Sequence, residues 1–69
     1  MTPLEGSVTS FDDPRGLGVV TARDGDDYPF HCTAIADGTR TIDVGIEVRF
    51  EIEAGPMGRW EARRISPLG

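Results

Sequence analysis

The chain has 69 residues, a formal net charge of −5 at pH 7 and a single cysteine, Cys32. This length predicts one small domain, residues 1–69 with a core over about 4–65. One cysteine cannot form an intramolecular disulfide, and no apolar segment reaches membrane-spanning length. We therefore expect a cytoplasmic protein that does not associate with membranes.

The acidic balance works against binding to polyphosphates, because affinity for nucleic acid comes mostly from cations that displace counterions. All seven cations are arginine, which genomic base composition explains, although arginine also stacks on bases and pairs with phosphate. With no lysine and one histidine, the usual nucleophilic sets and a P-loop are missing. His31 and Cys32 would point to opposite sides of a strand, which disfavours a metal site. We expect no enzyme and no cofactor.

Short segments rich in β-branched residues alternate with Gly, Pro and Asp clusters, and no apolar stripe has helical spacing, so the chain is predicted to be all-β. The first segment places Val8 on the inner side and Phe11, by parity, on the outer side. One short helical turn is expected at 33–36, capped by its threonine. The predicted strands cover residues 4–11, 17–22, 28–32, 48–54 and 59–65.

The clearest strand is "VRFEIEA", in which Val48, Phe50, Ile52 and Ala54 alternate with charged residues. The last strand is less regular, and a bulge between Ala62 and Ile65 would bring both onto the inner side. Five short strands that close on one another would avoid the exposed edges of a flat sheet. The predicted architecture is therefore a small five-stranded antiparallel barrel.

The pieces "LEGSVTSFDDPRGLGVV", "DGDDYPFHCTAIADG", "VGIEVRFEI" and "GRWEA" occur in this order over residues 4–65. Together they resemble the cold-shock domain, a barrel of the OB-fold type that binds single-stranded RNA and DNA. The resemblance implies that bases stack on exposed rings of the second and third strands, each stacked base contributing roughly 1–3 kcal/mol.

Most of those ring positions carry other side chains in this chain. Ser10, Leu17, Val19, Pro29 and Cys32 stand where the family has aromatic rings. Losing three or four stacking contacts would remove several kcal/mol of affinity, so the resemblance implies a weakened stacking face. The nucleic-acid-binding residues that it implies here are Phe11, Arg15, Leu17, Val19 and His31.

Two residues and the function itself leave alternatives open. Phe11 is either a stacking ring or a partly buried residue at the barrel rim. Trp60 either packs across the last strand or forms a secondary contact with Arg59 and Arg63. The chain is either a weak binder of single-stranded RNA or DNA, or a protein-interaction module that has lost this binding and presents an apolar strip to a protein partner or a second copy.

Overall fold

The computed structural model describes residues 3–55 and 58–68 and consists of one five-stranded antiparallel sheet. The order of the strands is β3-β2-β1-β4-β5. Neighbouring strands in the sheet are consecutive in the chain, except that β4 pairs with β1. The prediction of an all-β chain is confirmed. No helix within the described ranges is long and apolar enough to cross a membrane. The strands are β1 Leu4–Asp12, β2 Leu17–Ala22, β3 Asp27–His31, β4 Glu47–Ala54 and β5 Trp60–Pro67.

The sheet curls so that its two outermost strands, β3 and β5, pack against each other. Ile35, just after β3, forms a parallel bridge with Ile65 of β5, and the Ala36 N–H donates to the Ile65 carbonyl at 2.9 Å. In the part of the chain that the structure describes, the strand ladder does not run fully around the barrel. The enclosed core consists of Val8, Val20, Ala22, Phe30, Ile35, Val48, Phe50, Ala62 and Ile65.

The alternation predicted for β4 holds over its first half only. Val48 and Phe50 are fully buried, but Ala54, which was expected in the core, is exposed. The pairing with β1 explains this, since β1 begins with Leu4 opposite Phe50 and does not reach the end of β4. The last residues of β4 therefore lie beyond the covered part of the sheet.

The predicted bulge in β5 is confirmed. The register of β4 against β5 shifts between Arg49 and Glu51, and Arg64 has a positive φ of 53° at this point of β5. The extra residue brings both Ala62 and Ile65 into the core, where each is at most 1% exposed. A spacing of three between two core residues is what a one-residue bulge produces in a strand of period two.

A second bulge lies in β1, where the simple alternation predicted none. Between Val8 and Ser10 the register against β2 shifts, which leaves Thr9 as the additional residue. Beyond this point the parity of β1 is reversed, so Phe11 stands opposite the inward-facing Gly18. Of the two alternatives for Phe11, the structure agrees with the partly buried residue. Simple parity pointed outward, but the bulge turns the side chain back to the inner side.

Candidate nucleic-acid interface

Strands β1, β2 and β3 present their solvent-facing side chains in three rows that cross the sheet. Residues directly opposite each other in an antiparallel pair have Cβ atoms roughly 4.5–5.5 Å apart, so each row is a continuous strip. We call this surface the outer face. Its rows are Asp12–Leu17–His31, Ser10–Val19–Pro29 and Ser7–Thr21–Asp27.

The apolar part of the outer face lies in the first two rows. Leu17 is 49% exposed and stands directly opposite His31. Val19 is half-buried and stands opposite Pro29. The structure thus brings Leu17, Val19 and His31 together on one surface. This surface offers apolar contact to a base but only one ring, that of His31.

His31 is held in a defined orientation at the end of β3. Its Nδ1 accepts a hydrogen bond from the Thr33 backbone N–H at 3.3 Å and lies 3.1 Å from the Thr33 hydroxyl. His31 thereby caps a 3₁₀ turn at Cys32–Ala34, so the helical turn expected at 33–36 begins earlier, and its cap is histidine rather than threonine.

Arg15 lies in the tight turn between β1 and β2, beside the first row. The Gly16 N–H donates to the Asp12 carbonyl at 2.8 Å, which closes the turn. The guanidinium Nε of Arg15 is 3.6 Å from an Asp12 carboxylate oxygen, and the Arg15 side chain remains 76% exposed. Asp12 itself stands opposite Leu17. The cation that the family resemblance singles out is therefore partly neutralised by an acid on the same face.

A second acid lies at the opposite end of the outer face. The Thr21 hydroxyl donates to the Asp27 carboxylate at 2.7 Å, and the Thr9 and Thr21 hydroxyls are 3.0 Å apart. The sequence predicted that acids surround the apolar strip, but it did not show that Asp12 and Asp27 are the ones on the outer face. The spacing of Asp12 three residues before Arg15 could have indicated the first contact, whereas the second depends on the register of β2 against β3.

Beneath this surface, on the inner side, Phe11 and Phe30 form a ring pair. Their centroids are 6.0 Å apart and their planes differ by 10°. A Cβ atom on Gly18 would lie 2.6 Å from the Phe30 ring, so only glycine leaves room for that ring. Gly16 has a φ of +66°, a conformation that glycine adopts without strain. The "GLG" stretch thus serves the turn and the core.

The predicted secondary contact does not form one cluster. Trp60 stands opposite Ala54 and has the parity of the buried Ala62, whereas Arg63 lies on the other side of β5. Trp60 is 54% exposed because it is the first residue of β5 and lies beyond the core. Arg63 instead contacts Glu53 across the β4–β5 pair. Arg59 precedes β5 and is exposed.

Comparisons with known proteins agree with the fold. The family described as "'Cold-shock' DNA-binding domain" matches residues 4–68. The chain belongs to the cold-shock domain family. It is 39% identical over 56 residues to the cold shock-like protein CspE of Bacillus anthracis, covering 80% of this chain and 84% of that protein. It is 37% identical over 68 residues to the cold shock-like protein CspE of Buchnera aphidicola, covering 96% and 99% respectively.

A solved structure of the cold-shock domains of Drosophila Unr superposes with a TM-score of 0.80 at 28% identity. The match covers 99% of this chain and 27% of the Unr chain, so this cold-shock domain corresponds to about a quarter of that structure. Family membership confirms the prediction of a nucleic-acid-binding, cold-shock-like protein. Nothing in the comparisons favours the alternative of a protein-interaction module.

Proposed function

We propose that this cold-shock domain binds single-stranded RNA or DNA weakly, through the first two rows of its outer face. Leu17, Val19 and His31 form the contact surface for bases, and Arg15 supplies the cation at its edge. Phe11 supports the surface from the inner side through its ring pair with Phe30. The observation that carries the proposal is the direct pairing of exposed Leu17 with His31 in register.

The weakness follows from two features of this surface. Leucine and valine contact a base through dispersion but have no π face, so each lacks the stacking contribution of a ring, roughly 1–3 kcal/mol per base. Asp12 and Asp27 add negative charge at the two ends of the face. We expect dissociation constants in the range typical of non-specific binding, roughly 1–100 μM at physiological salt.

The outer face offers little exposed apolar area for binding a protein partner. Among the described residues of β1, β2 and β3, Leu17 is the one large apolar side chain that is strongly exposed. A stable protein interface buries roughly 800 Å² on each partner, which one leucine with polar neighbours does not supply. A cytoplasmic location, expected from the single cysteine, stays a prediction.

Fluorescence anisotropy of labelled oligothymidine and of a mixed-sequence RNA, each at two salt concentrations, tests the proposal. Arg15→Gln and Arg23→Gln remove the same charge, but Arg23 pairs with Glu5 and Glu47 beyond the third row, six residues from Leu17 along the chain. We expect binding that weakens with salt and weakens more in Arg15→Gln than in Arg23→Gln. Absence of salt-sensitive binding at high micromolar protein, or equal effects of the two variants, would contradict the proposal.

A further inference from the structure

The outer face continues beyond β3 onto β5 through a shallow cavity. Its volume is about 150 Å³, and it occupies the seam where β3 and the turn after it pack against the last strand. A nucleic-acid strand that leaves His31 in this direction meets side chains of β4 and β5. The cavity is lined by His31, Thr33, Ala34, Glu53, Glu61, Ala62 and Arg63.

One cation lies in this cavity, and a carboxylate already engages it. The Arg63 Nη1 donates to the Glu53 Oε1 at 2.5 Å, with both side chains about half exposed. Glu53 stands directly opposite Glu61 in the β4–β5 register. Two carboxylates next to one guanidinium give the cavity a net negative charge, and like charges directly opposite in a sheet are unfavourable unless something compensates them.

We propose that Arg63 is a latent nucleic-acid contact, which Glu53 masks by pairing with its guanidinium. This inference rests on the function proposed for the outer face. A guanidinium binds phosphate with the same forked geometry that it uses for carboxylate. An exposed ion pair is weak enough to exchange one partner for another. A phosphate entering from the side of His31 must therefore compete with Glu53 for the Arg63 guanidinium. This competition lowers the affinity of the protein for nucleic acid.

The masking is distinct from a general effect of negative charge, and the chain offers a matched control. Glu47 lies on the same strand as Glu53, is also exposed, and pairs with Arg23 at 3.2 Å. It lies six residues away along β4, a distance of about 20 Å at about 3.3 Å per residue. Since the Debye length is about 10 Å at 0.1 M salt, neutralising Glu47 changes the field at the cavity around Glu53 and Arg63 little.

The experiment measures oligonucleotide affinity against salt for wild type, Glu53→Gln, Glu47→Gln, Arg63→Gln and the double variant Glu53→Gln/Arg63→Gln. We expect Glu53→Gln to bind about 3- to 10-fold more tightly at low salt, with a salt slope steeper by about 0.7, the value for one additional phosphate contact on a single strand. Glu47→Gln should gain less than about 2-fold. Arg63→Gln should bind no more tightly than wild type, because it leaves Glu53 and Glu61 uncompensated. The double variant should lose the gain.

Three results would overturn the masking of Arg63. These are equal gains in Glu53→Gln and Glu47→Gln, a gain that persists in the double variant, and a gain of affinity in Arg63→Gln alone. Thermal melting of each variant establishes that it folds. If wild type binds and loses affinity in Arg15→Gln while Glu53→Gln binds like Glu47→Gln, the masking of Arg63 is refuted and the proposed function of the outer face stands. If neither wild type nor Glu53→Gln binds, the proposed function of the outer face fails with it.

Discussion

Restoring rings at Leu17 and Val19 should convert the weak face into a strong one. Leu17 is 49% exposed and Val19 half-buried on the outer face, so phenylalanine at either position projects toward solvent beside His31 and Pro29. Substitutions at such surface positions usually change stability by no more than about 0.5 kcal/mol. The variant Leu17→Phe/Val19→Phe therefore tests binding with little disturbance of the barrel.

The expected gain can be worked out from the two added rings. At roughly 1–3 kcal/mol per stacked base, two rings contribute roughly 2–6 kcal/mol if their effects add. With tenfold in affinity for every 1.4 kcal/mol, even the lower bound corresponds to about a 30-fold tighter complex. The salt slope should stay unchanged, because stacking adds no phosphate contact.

Anisotropy titrations with oligothymidine measure the gain, and Val44→Phe is the matched control. Val44 is 58% exposed in the loop between β3 and β4, outside the outer face, so its substitution adds the same ring elsewhere. A gain of less than about 3-fold in Leu17→Phe/Val19→Phe would show that the missing rings do not limit affinity. A similar gain in Val44→Phe would show that the rings act non-specifically. Either result would refute the reasoning.

The fold supports two further predictions. Gly18→Ala should destabilise the protein by at least about 2 kcal/mol in chemical denaturation, since the added Cβ would lie 2.6 Å from the Phe30 ring; a loss below about 0.5 kcal/mol would contradict the close packing. Hydrogen bonds from the Thr39 backbone N–H and hydroxyl lower the pKa of Asp37, so its stabilisation is present above the ordinary aspartate pKa of about 3.9 and is lost as the pH falls through the depressed value. Asp37→Asn should thus be less stable than wild type at neutral pH, and the gap should close in acid; a gap independent of pH between 2 and 7 would exclude a contribution from the charge.

The alternation of apolar and polar residues was enough to predict most of the barrel. At the two bulges this alternation no longer indicates which side chains face inward. Ala62 and Ile65 are three residues apart, and so are Val8 and Phe11. In both strands a bulge turns the second residue back to the inner side. The spacing predicted the bulge in β5, where an exposed isoleucine had no use. In β1 simple parity placed Phe11 outward, and two alternatives stayed open because the pattern did not mark Thr9 as an additional residue.

The charge contacts depended on details that the one-dimensional pattern does not hold. Arg63 has Glu51 directly opposite it, Glu53 on the diagonal and Glu61 two residues before it on its own strand. All three acids are compatible with the sequence. In the structure Arg63 forms its ion pair with Glu53. The register that places these two residues within reach depends on the bulge at Arg64. Arg59, Trp60 and Arg63 looked like one cluster in sequence, but strand parity separates the ring from Arg63.

The persistence of the "GLG" skeleton without its rings follows from the two sides of one strand. In β2 the inward positions include Gly18, which must leave space for Phe30, and the preceding Gly16 has the positive φ that its turn requires. The outward positions Leu17 and Val19 carry no such demand from the core. Since alternate residues face opposite sides, the two sets can change independently. The glycine pattern therefore reports the fold, and the affinity for nucleic acid depends on the residues between the glycines.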